Sequence, residues 1–178
     1  MIVDKYFWGV SMGKLKRLIT VCFIVMFASH AFAKQISFQV VQHDQTSSIV
    51  TEQSLVIEDE VLNSFFESGY IVTNSDAAMS NSDGQDELLF KAGIREAFEG
   101  CSEYFIQINL FFTRTDQTIS KNSDLEKINF TIAKTNTGKT IANKSFDNIK
   151  IVNVKTDLKK VSLSLVKEIN KALNAYKA

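Results

Sequence analysis

The sequence predicts an α+β fold with a single mixed, largely antiparallel sheet, the element order β-α-β-α-β-β-β-α, and helices mainly on one face. Several short segments alternate apolar and polar residues, which is the period of a strand with one buried face. Three longer segments repeat apolar residues at helical spacing. The last three strands follow one another with one polar face, which favours a sheet that helices cover mainly on one side.

Length and composition fit a single folded domain. The chain has 178 residues, of which 45% are hydrophobic and 22% are charged, and this is the usage of ordinary soluble domains. The formal net charge is zero, so we expect no nucleic-acid partner of the generally basic kind. Proline is absent, which excludes Pro-rich linkers.

The first 33 residues have the three-part pattern of a secretory signal peptide. Residues 14–17 (KLKR) contain three basic side chains. Residues 18–27 are apolar, and an A-x-A motif ends at Ala33. Ten apolar residues are too few for a permanent bilayer span. We therefore expect cleavage after Ala33, a single mature domain over residues 34–178, a periplasmic or secreted location, and membrane contact only through partners.

The start of translation is a separate question. Met12 begins a normal signal-peptide start, whereas residues 1–11 carry an Asp and aromatic residues that a basic start does not need. We predict Met12 as the true start, and the alternative is a longer first region that begins at Met1.

The first elements form a β-α-β unit. Residues 36–40 alternate as a strand, and residues 54–68 follow as a helix with Ser54 as its N-cap. Gly69 stands where a helix commonly ends in the left-handed conformation. Residues 70–73 are then predicted as a short strand.

The middle of the chain contains a loop, a helix and a strand. Residues 74–85, rich in Ser, Asn and Asp, are predicted as a loop, and residues 86–100 as a helix with acidic residues at its positive end. Cys101 continues the apolar stripe of that helix, so we expect a buried and inert thiol. It is the only cysteine after residue 33, so an intramolecular disulfide of the mature chain is excluded. Residues 103–116 are predicted as a long strand.

The final elements are a hairpin and a helix. Residues 128–132 and 140–146 are predicted as strands joined by a tight turn in which Gly138 supplies the positive φ. The last helix is predicted to begin at Thr156 as its cap. Its apolar stripe consists of Leu158, Val161, Leu165, Ile169 and Leu173. Its remaining surface is covered largely by Lys159, Lys160, Lys167 and Lys171.

Charge is distributed unevenly along the mature chain. Residues 34–103 carry 3 basic and 13 acidic side chains, net −10, whereas residues 104–178 carry 13 basic and 6 acidic side chains, net +7. Such asymmetry is typical of a partner surface. The alternative, which we favour, is that the two halves neutralise each other within one fold.

Residues for common catalytic chemistry are sparse. His43 is the only histidine after residue 33, and the sequence has no P-loop, nucleophile elbow, dinucleotide-binding glycine motif or zincin motif. One Cys and one His are too few for a standard structural zinc site, and no motif supports a dyad of His43 with Cys101. We therefore predict no enzyme and no catalytic, cofactor-binding or metal-binding residues.

Three short segments carry a family resemblance. Residues 65–72 (FFESGYIV) pass from a helix through a glycine directly into a strand, residues 103–106 (EYFI) open a strand with aromatic residues, and residues 129–140 (NFTIAKTNTGKT) contain a Thr-Gly turn. An amphipathic helix closes this succession, which covers about residues 36–175. The succession resembles a group of periplasmic domains that includes the amino-terminal domain of TolB, CsgG, and LpoB, the penicillin-binding-protein activator. The chain differs in lacking the lipoprotein cysteine of several members and the Trp that often follows the turn, where Ile141 and Ala142 stand.

The resemblance implies non-enzymatic work: binding or activating envelope proteins, or building secretion or flagellar assemblies. We therefore expect an exported adaptor of the bacterial cell envelope that contacts other envelope proteins. Its candidate partner surface is Lys159, Lys160 and Lys167 on the last helix.

Two other function classes are kept open. The first is a periplasmic module that binds a small ligand or a glycan through Gln107, Asn109 and the predicted loop over residues 74–85. The second, ranked far lower, is an enzyme that uses His43.

Overall fold

The computed structural model describes residues 33–45, 47–113, 124–147, 149 and 151–176, so the predicted signal peptide up to residue 32 and the Met12 start lie outside the described residues. The elements are β1 (Gln35–His43), α1 (Glu52–Glu67), β2 (Ile71–Met79), α2 (Asp83–Glu99), β3 (Tyr104–Thr113), β4 (Asp124–Lys134), β5 (Lys139–Phe146) and α3 (Val154–Ala175). This order confirms the predicted succession of strands and helices.

The five strands form one sheet in the order β2-β1-β3-β4-β5. β1 lies between β2 and β3 and pairs with both in parallel, whereas β3 with β4 and β4 with β5 pair antiparallel. The mixed sheet is confirmed, although its parallel half is as large as its antiparallel half.

Helices cover both faces of this sheet unequally. α1 and α3 pack against each other on one face, over a core that includes Phe38, Ile106 and Phe130. α2 lies on the opposite face, where it contacts β1 and β3 and packs on the alternate residue Phe105. The apolar stripe predicted for the last helix is confirmed, because Leu158, Leu165, Ile169 and Leu173 are buried in the same core.

α1 ends as the sequence predicts. Gly69 has a φ of 82°, its N–H donates to the Phe66 carbonyl, and the Tyr70 N–H donates to the Phe65 carbonyl. The Tyr70 and Phe65 rings also meet edge to face with centroids 5.8 Å apart. These are the bonds and the apolar contact of the Schellman motif.

Cys101 corrects a prediction, because its side chain is exposed rather than buried. α2 ends at Glu99, and Cys101 takes the left-handed position of a Schellman motif, with a φ of 62°. Its N–H donates to Phe98 and that of Ser102 donates to Ala97. The apolar stripe therefore stops at Ala97, since the chain turns out of the helix before it reaches the thiol.

β2 is a second correction. Residues 74–79 lie in this nine-residue strand rather than in a loop, because main-chain pairing with β1 requires no apolar side chain. Polar side chains attach β2 to its neighbours instead: Asn74 Nδ2 donates to Glu58 Oε1 at 2.7 Å and Gln39 Nε2 donates to the Asp76 carbonyl at 3.1 Å. Burial raises the pKa of Glu58.

All three helices begin slightly earlier than the sequence predicts. α2 begins at Asp83 rather than at Asp86, with Ser82 as its N-cap. Thr51 rather than Ser54 caps α1, and Asn153 rather than Thr156 caps α3. In both cases the predicted cap lies three residues inside the helix, where its N–H donates to the real cap. The hairpin prediction is confirmed, since Gly138 has a φ of 66° and its N–H donates to the Lys134 carbonyl.

Candidate functional site

A cleft lies where the parallel strands β1 and β3 end. Its volume is about 580 Å³, and its lining includes His43, Ser80, Asn81, Phe111, Lys127 and Asp147. The chain leaves β1 toward α1 on one face, whereas α2, on the other face, leads into β3. This is the topological switch point of the parallel strands, the place where open α/β sheets commonly bind ligands.

Three elements arrange the residues around His43. His43 ends β1 and lies beside Phe111 of β3 in the parallel register, so their rings stack with centroids 4.3 Å apart. Asp86 in the first turn of α2 places Oδ2 3.3 Å from His43 Nε2. Lys127 Nζ lies 5.6 Å from the Phe111 ring centroid and 3.9 Å from Asp147 Oδ1.

Two opposing influences act on the pKa of the His43 imidazole. Burial lowers the pKa of His43, and the carboxylates of Asp86 and Asp83 oppose that shift. The side chain is 15% exposed, which agrees with burial as the larger influence. His43 therefore favours the neutral form more than a histidine in water does.

This pKa makes the stability of the fold depend on pH. Above the ordinary His value of about 6.5 the ring is neutral in both folded and unfolded chains. As pH falls, the unfolded chain takes up a proton first, so the free energy of unfolding falls until the folded pKa is passed. We expect the melting temperature of the exported protein to decrease from pH 7.5 to 5.5.

His43→Phe is the matched control, because it keeps an aromatic ring on Phe111 and cannot titrate. The decrease should become smaller in this variant, since His43 is the only histidine after residue 33. Glu58, whose pKa burial raises, acts in the opposite direction and at lower pH. An identical decrease in the variant would show that His43 does not cause it.

Gln107 does not lie on an open face as the ligand-binding alternative requires. It is buried beneath α2, and its Nε2 donates to the Asp86 carbonyl at 3.3 Å. Gln107 therefore holds the helix turn that presents Asp86 to His43. Asn109, also on β3, is half-buried opposite Asn129 in the β3–β4 ladder.

A dyad of His43 with Cys101, which no sequence motif supports, is also excluded by the sheet. His43 is at the carboxyl end of β1, whereas Cys101 precedes the amino end of β3, next to the pair Ile36 and Tyr104. Seven residues of strand separate the two ends, roughly 23 Å at the usual rise. Within the described ranges no group of three His, Cys, Asp or Glu side chains could hold a metal ion.

The predicted lysine surface lies on α3. Lys159, Lys160 and Lys167 are all exposed. Lys159 Nζ lies 3.9 Å from Glu60 Oε2 of α1, which joins the acidic and basic halves of the chain, and Lys160 Nζ lies 3.3 Å from Asp157 Oδ1. Lys167 carries its charge into solvent at the far end of the same helix face.

Exposed apolar residues accompany these lysines. The side of α1 and α3 that faces away from the sheet, called here the α1–α3 layer, carries Phe66, which is 73% exposed, together with Leu55 and Leu163. A groove of about 390 Å³ runs between the helices, lined in part by Glu67, Leu163 and Lys167. Leu55 and Phe66 are exposed because Ile57, Val61 and Phe65 form the face of α1 that covers the sheet.

Over the residues that are described, no helix is both long enough and apolar enough to cross a membrane.

A family model described as "Uncharacterised protein" matches residues 35–174. The chain has no significant match among curated proteins. The solved structures that are similar to it include the following three. A putative neuraminyllactose-binding hemagglutinin homolog from Helicobacter pylori has 10% identity and a TM-score of 0.48, with 82% of this chain and 90% of that chain covered. A PelC dodecamer from Paraburkholderia phytofirmans has 13% identity and a TM-score of 0.44, with 80% of this chain and 90% of the PelC chain covered. TolB from Acinetobacter baumannii has 10% identity and a TM-score of 0.42, with 80% of this chain but only 29% of the TolB chain covered.

TolB is thus among the structures similar to this chain, as the sequence resemblance predicts. The resemblance to CsgG and LpoB is not shown by these matches and stays a prediction.

Proposed function

We propose that this chain, which belongs to the family matched over residues 35–174, is an exported accessory protein of the bacterial cell envelope. It is non-catalytic and acts by protein–protein contact. The basic, apolar and A-x-A segments before residue 34 support export. The contact role is carried by one observation, the exposed apolar side chains of the α1–α3 layer.

Phe66 is the centre of that observation. A phenylalanine that is 73% exposed loses the stabilisation that burial would give it, and apolar surface rimmed by charge is typical of interaction sites. Glu67 and Lys167 line the neighbouring groove, so charged side chains accompany the exposed apolar ones on this layer. Aromatic residues supply much of the binding energy at protein interfaces, while charges at an interface edge act mainly on association rate.

The sheet edges fit a contact role less well. β2 has one extra residue where Gln39 and Val41 pair with Ser75 and Ala78. β5 has one extra residue where Ile132 and Ala133 pair with Ala142 and Thr140. Bulges of this kind disturb the ladder and protect edge strands from pairing with other chains.

Binding of a small ligand is the second candidate, and the cleft beside His43 supports it. Its position at the switch point is favourable, and its lining combines an aromatic ring with Lys127 and Asp147. This site takes the place of the Gln107 face, which is buried. A ligand should raise the melting temperature as RT ln(1 + [L]/Kd) requires.

Photo-crosslinking in exporting cells tests the contact role. We expect a crosslinker at Phe66 to form adducts that weaken when Lys159, Lys160 and Lys167 are changed together to Glu. Leu88, 69% exposed on α2, is the matched control position and should give no adduct. Protein recovered from the envelope should begin at Lys34.

Two outcomes would contradict the proposal. Absence of adducts at Phe66 in well-folded, exported protein would remove the layer as a contact surface. A mature form that retains residues 18–27 would overturn export by cleavage.

A further inference from the structure

We infer that the α1–α3 layer binds a second copy of this chain, related by a two-fold axis that runs parallel to the two helices. The inference rests on the proposed function in that both use the same layer. It goes further by naming the partner and the arrangement of the two chains.

The two helices run in the same direction and at matching heights. Glu60 of α1 lies beside Lys159 of α3, with 3.9 Å between Oε2 and Nζ. About two to three turns further on, Asn170 Nδ2 of α3 lies 3.5 Å from Ser68 Oγ at the end of α1. Residue numbers therefore increase along both helices together, and positions near 60 and 159 share one level of the layer.

Charge divides the layer into two halves. α1 contains Glu52, Glu58, Asp59, Glu60 and Glu67 and no basic residue. α3 contains five lysines against Asp157 and Glu168. Among these, the exposed side chains include Glu52, Asp59 and Glu67 on α1 and Lys159, Lys160, Lys167 and Lys171 on α3. One helix thus presents negative charge and its neighbour presents positive charge.

Symmetry decides how two such layers can meet. A two-fold axis parallel to the helices places α1 of one copy over α3 of the other, at the same height and in the same direction. Asp59 then faces the level of Lys159, and Glu67 faces the level of Lys167. A two-fold axis across the helices would place acidic on acidic and basic on basic, which is repulsive.

An exposed apolar side chain lies at the centre of this contact. Leu163 is 46% exposed and lines the groove, whereas Phe66 is exposed on α1 outside the groove lining. The groove lies between the helices, so the axis runs along it. In the dimer Leu163 leaves water, and Glu67 and Lys167, which line the same groove, face the opposite charges of the other copy.

The available area indicates a weak dimer. α1, with 16 residues, is about 24 Å long at 1.5 Å per residue, and two adjacent helices are about 20 Å wide. That gives roughly 500 Å² for each copy, or about 1,000 Å² together, the lower limit for a specific interface. Association should therefore depend on protein concentration and should weaken as salt screens the charges.

Two complementary charge reversals test the arrangement on the protein purified after export. The first variant carries Lys159→Glu and Lys167→Glu, and the second carries Asp59→Lys and Glu67→Lys. Sedimentation velocity should show a monomer–dimer equilibrium for the wild type and monomers for each variant alone. An equimolar mixture should regain dimers, because each α1–α3 contact then joins opposite charges again.

The matched control is Lys91→Glu with Arg95→Glu on α2, which makes the same change in net charge away from the layer. It should dimerise as the wild type does. A mixture that stays monomeric, although each variant melts near the wild-type temperature, would overturn the inference. A monomeric wild type that still forms adducts at Phe66 in cells would overturn it too, while leaving the proposed function with another partner.

Discussion

Replacing Gly93 by alanine is expected to be among the most destabilising small changes in this protein. Gly93 lies in α2 directly over Phe105 of β3, and a Cβ at residue 93 would stand 2.6 Å from Phe105 Cε2 and closer still to Cζ. The Phe105 ring is fully buried, so it cannot move aside into solvent. Overpacking of this kind costs about 1–3 kcal/mol and occasionally more, and we expect the upper part of that range.

Gly84→Ala is the matched control, because Gly84 belongs to the same helix and a Cβ there meets no atom within 4 Å. Alanine should be neutral there or stabilise by up to about 1 kcal/mol through helix propensity. Urea unfolding measures both free energies. Phe105→Leu should recover part of the loss caused by Gly93→Ala, and equal stabilities of the two alanine variants would contradict the close packing of α2 on β3.

Gly93 also shows why the sequence predicts the faces of the sheet better than their coverage. Alternation in β3 separates Phe105 from Ile106, and this follows from the two-residue period of a strand. Which helix covers Phe105 depends on contacts between residues that are far apart in the sequence. The alternation does not identify the element that covers Phe105, and in the structure α2 covers it.

Local chemistry made some features predictable. Gly69 and Gly138 have the positive φ values expected of them, because each follows from the bonds of one turn. β2 was missed beyond residue 73 because its pairing with β1 uses main-chain groups, and residues such as Asn74 and Asp76 have low strand propensity. Cys101 was misplaced because the apolar spacing continues through residue 101 although the helix stops at Glu99.

The cleft could not be predicted because its residues come from separate elements. His43 was recognised as the single histidine of the mature chain, but its neighbours depend on the register of β1 with β3 and on the position of α2. A one-residue shift in that register would move Phe111 to the other face. Asp86 was predicted only as an acidic residue of a first helical turn.

A buried amide beside the cleft holds the start of α1 in place. Gln42 is fully buried in β1. Its Oε1 accepts from the Thr51 N–H at 2.8 Å, from Thr51 Oγ1 at 3.0 Å and from Ser54 Oγ at 2.7 Å, and its Nε2 donates to the Ile49 carbonyl at 3.2 Å. One side chain therefore joins the end of β1 to the chain that leads into α1.

Gln42→Met is expected to lower the free energy of unfolding by about 3 kcal/mol, since a buried polar group left without its partner costs about 1–3 kcal/mol. Methionine fills nearly the same volume, so the loss reports on hydrogen bonds rather than on a cavity. Gln39→Met is the matched control on the same strand, because the Gln39 side chain makes one hydrogen bond, to the Asp76 carbonyl, and should cost about 1 kcal/mol. Urea unfolding compares the two, and amide exchange at Thr51 should accelerate only in Gln42→Met. Equal losses in both variants would show that the four bonds of Gln42 do not fix the start of α1.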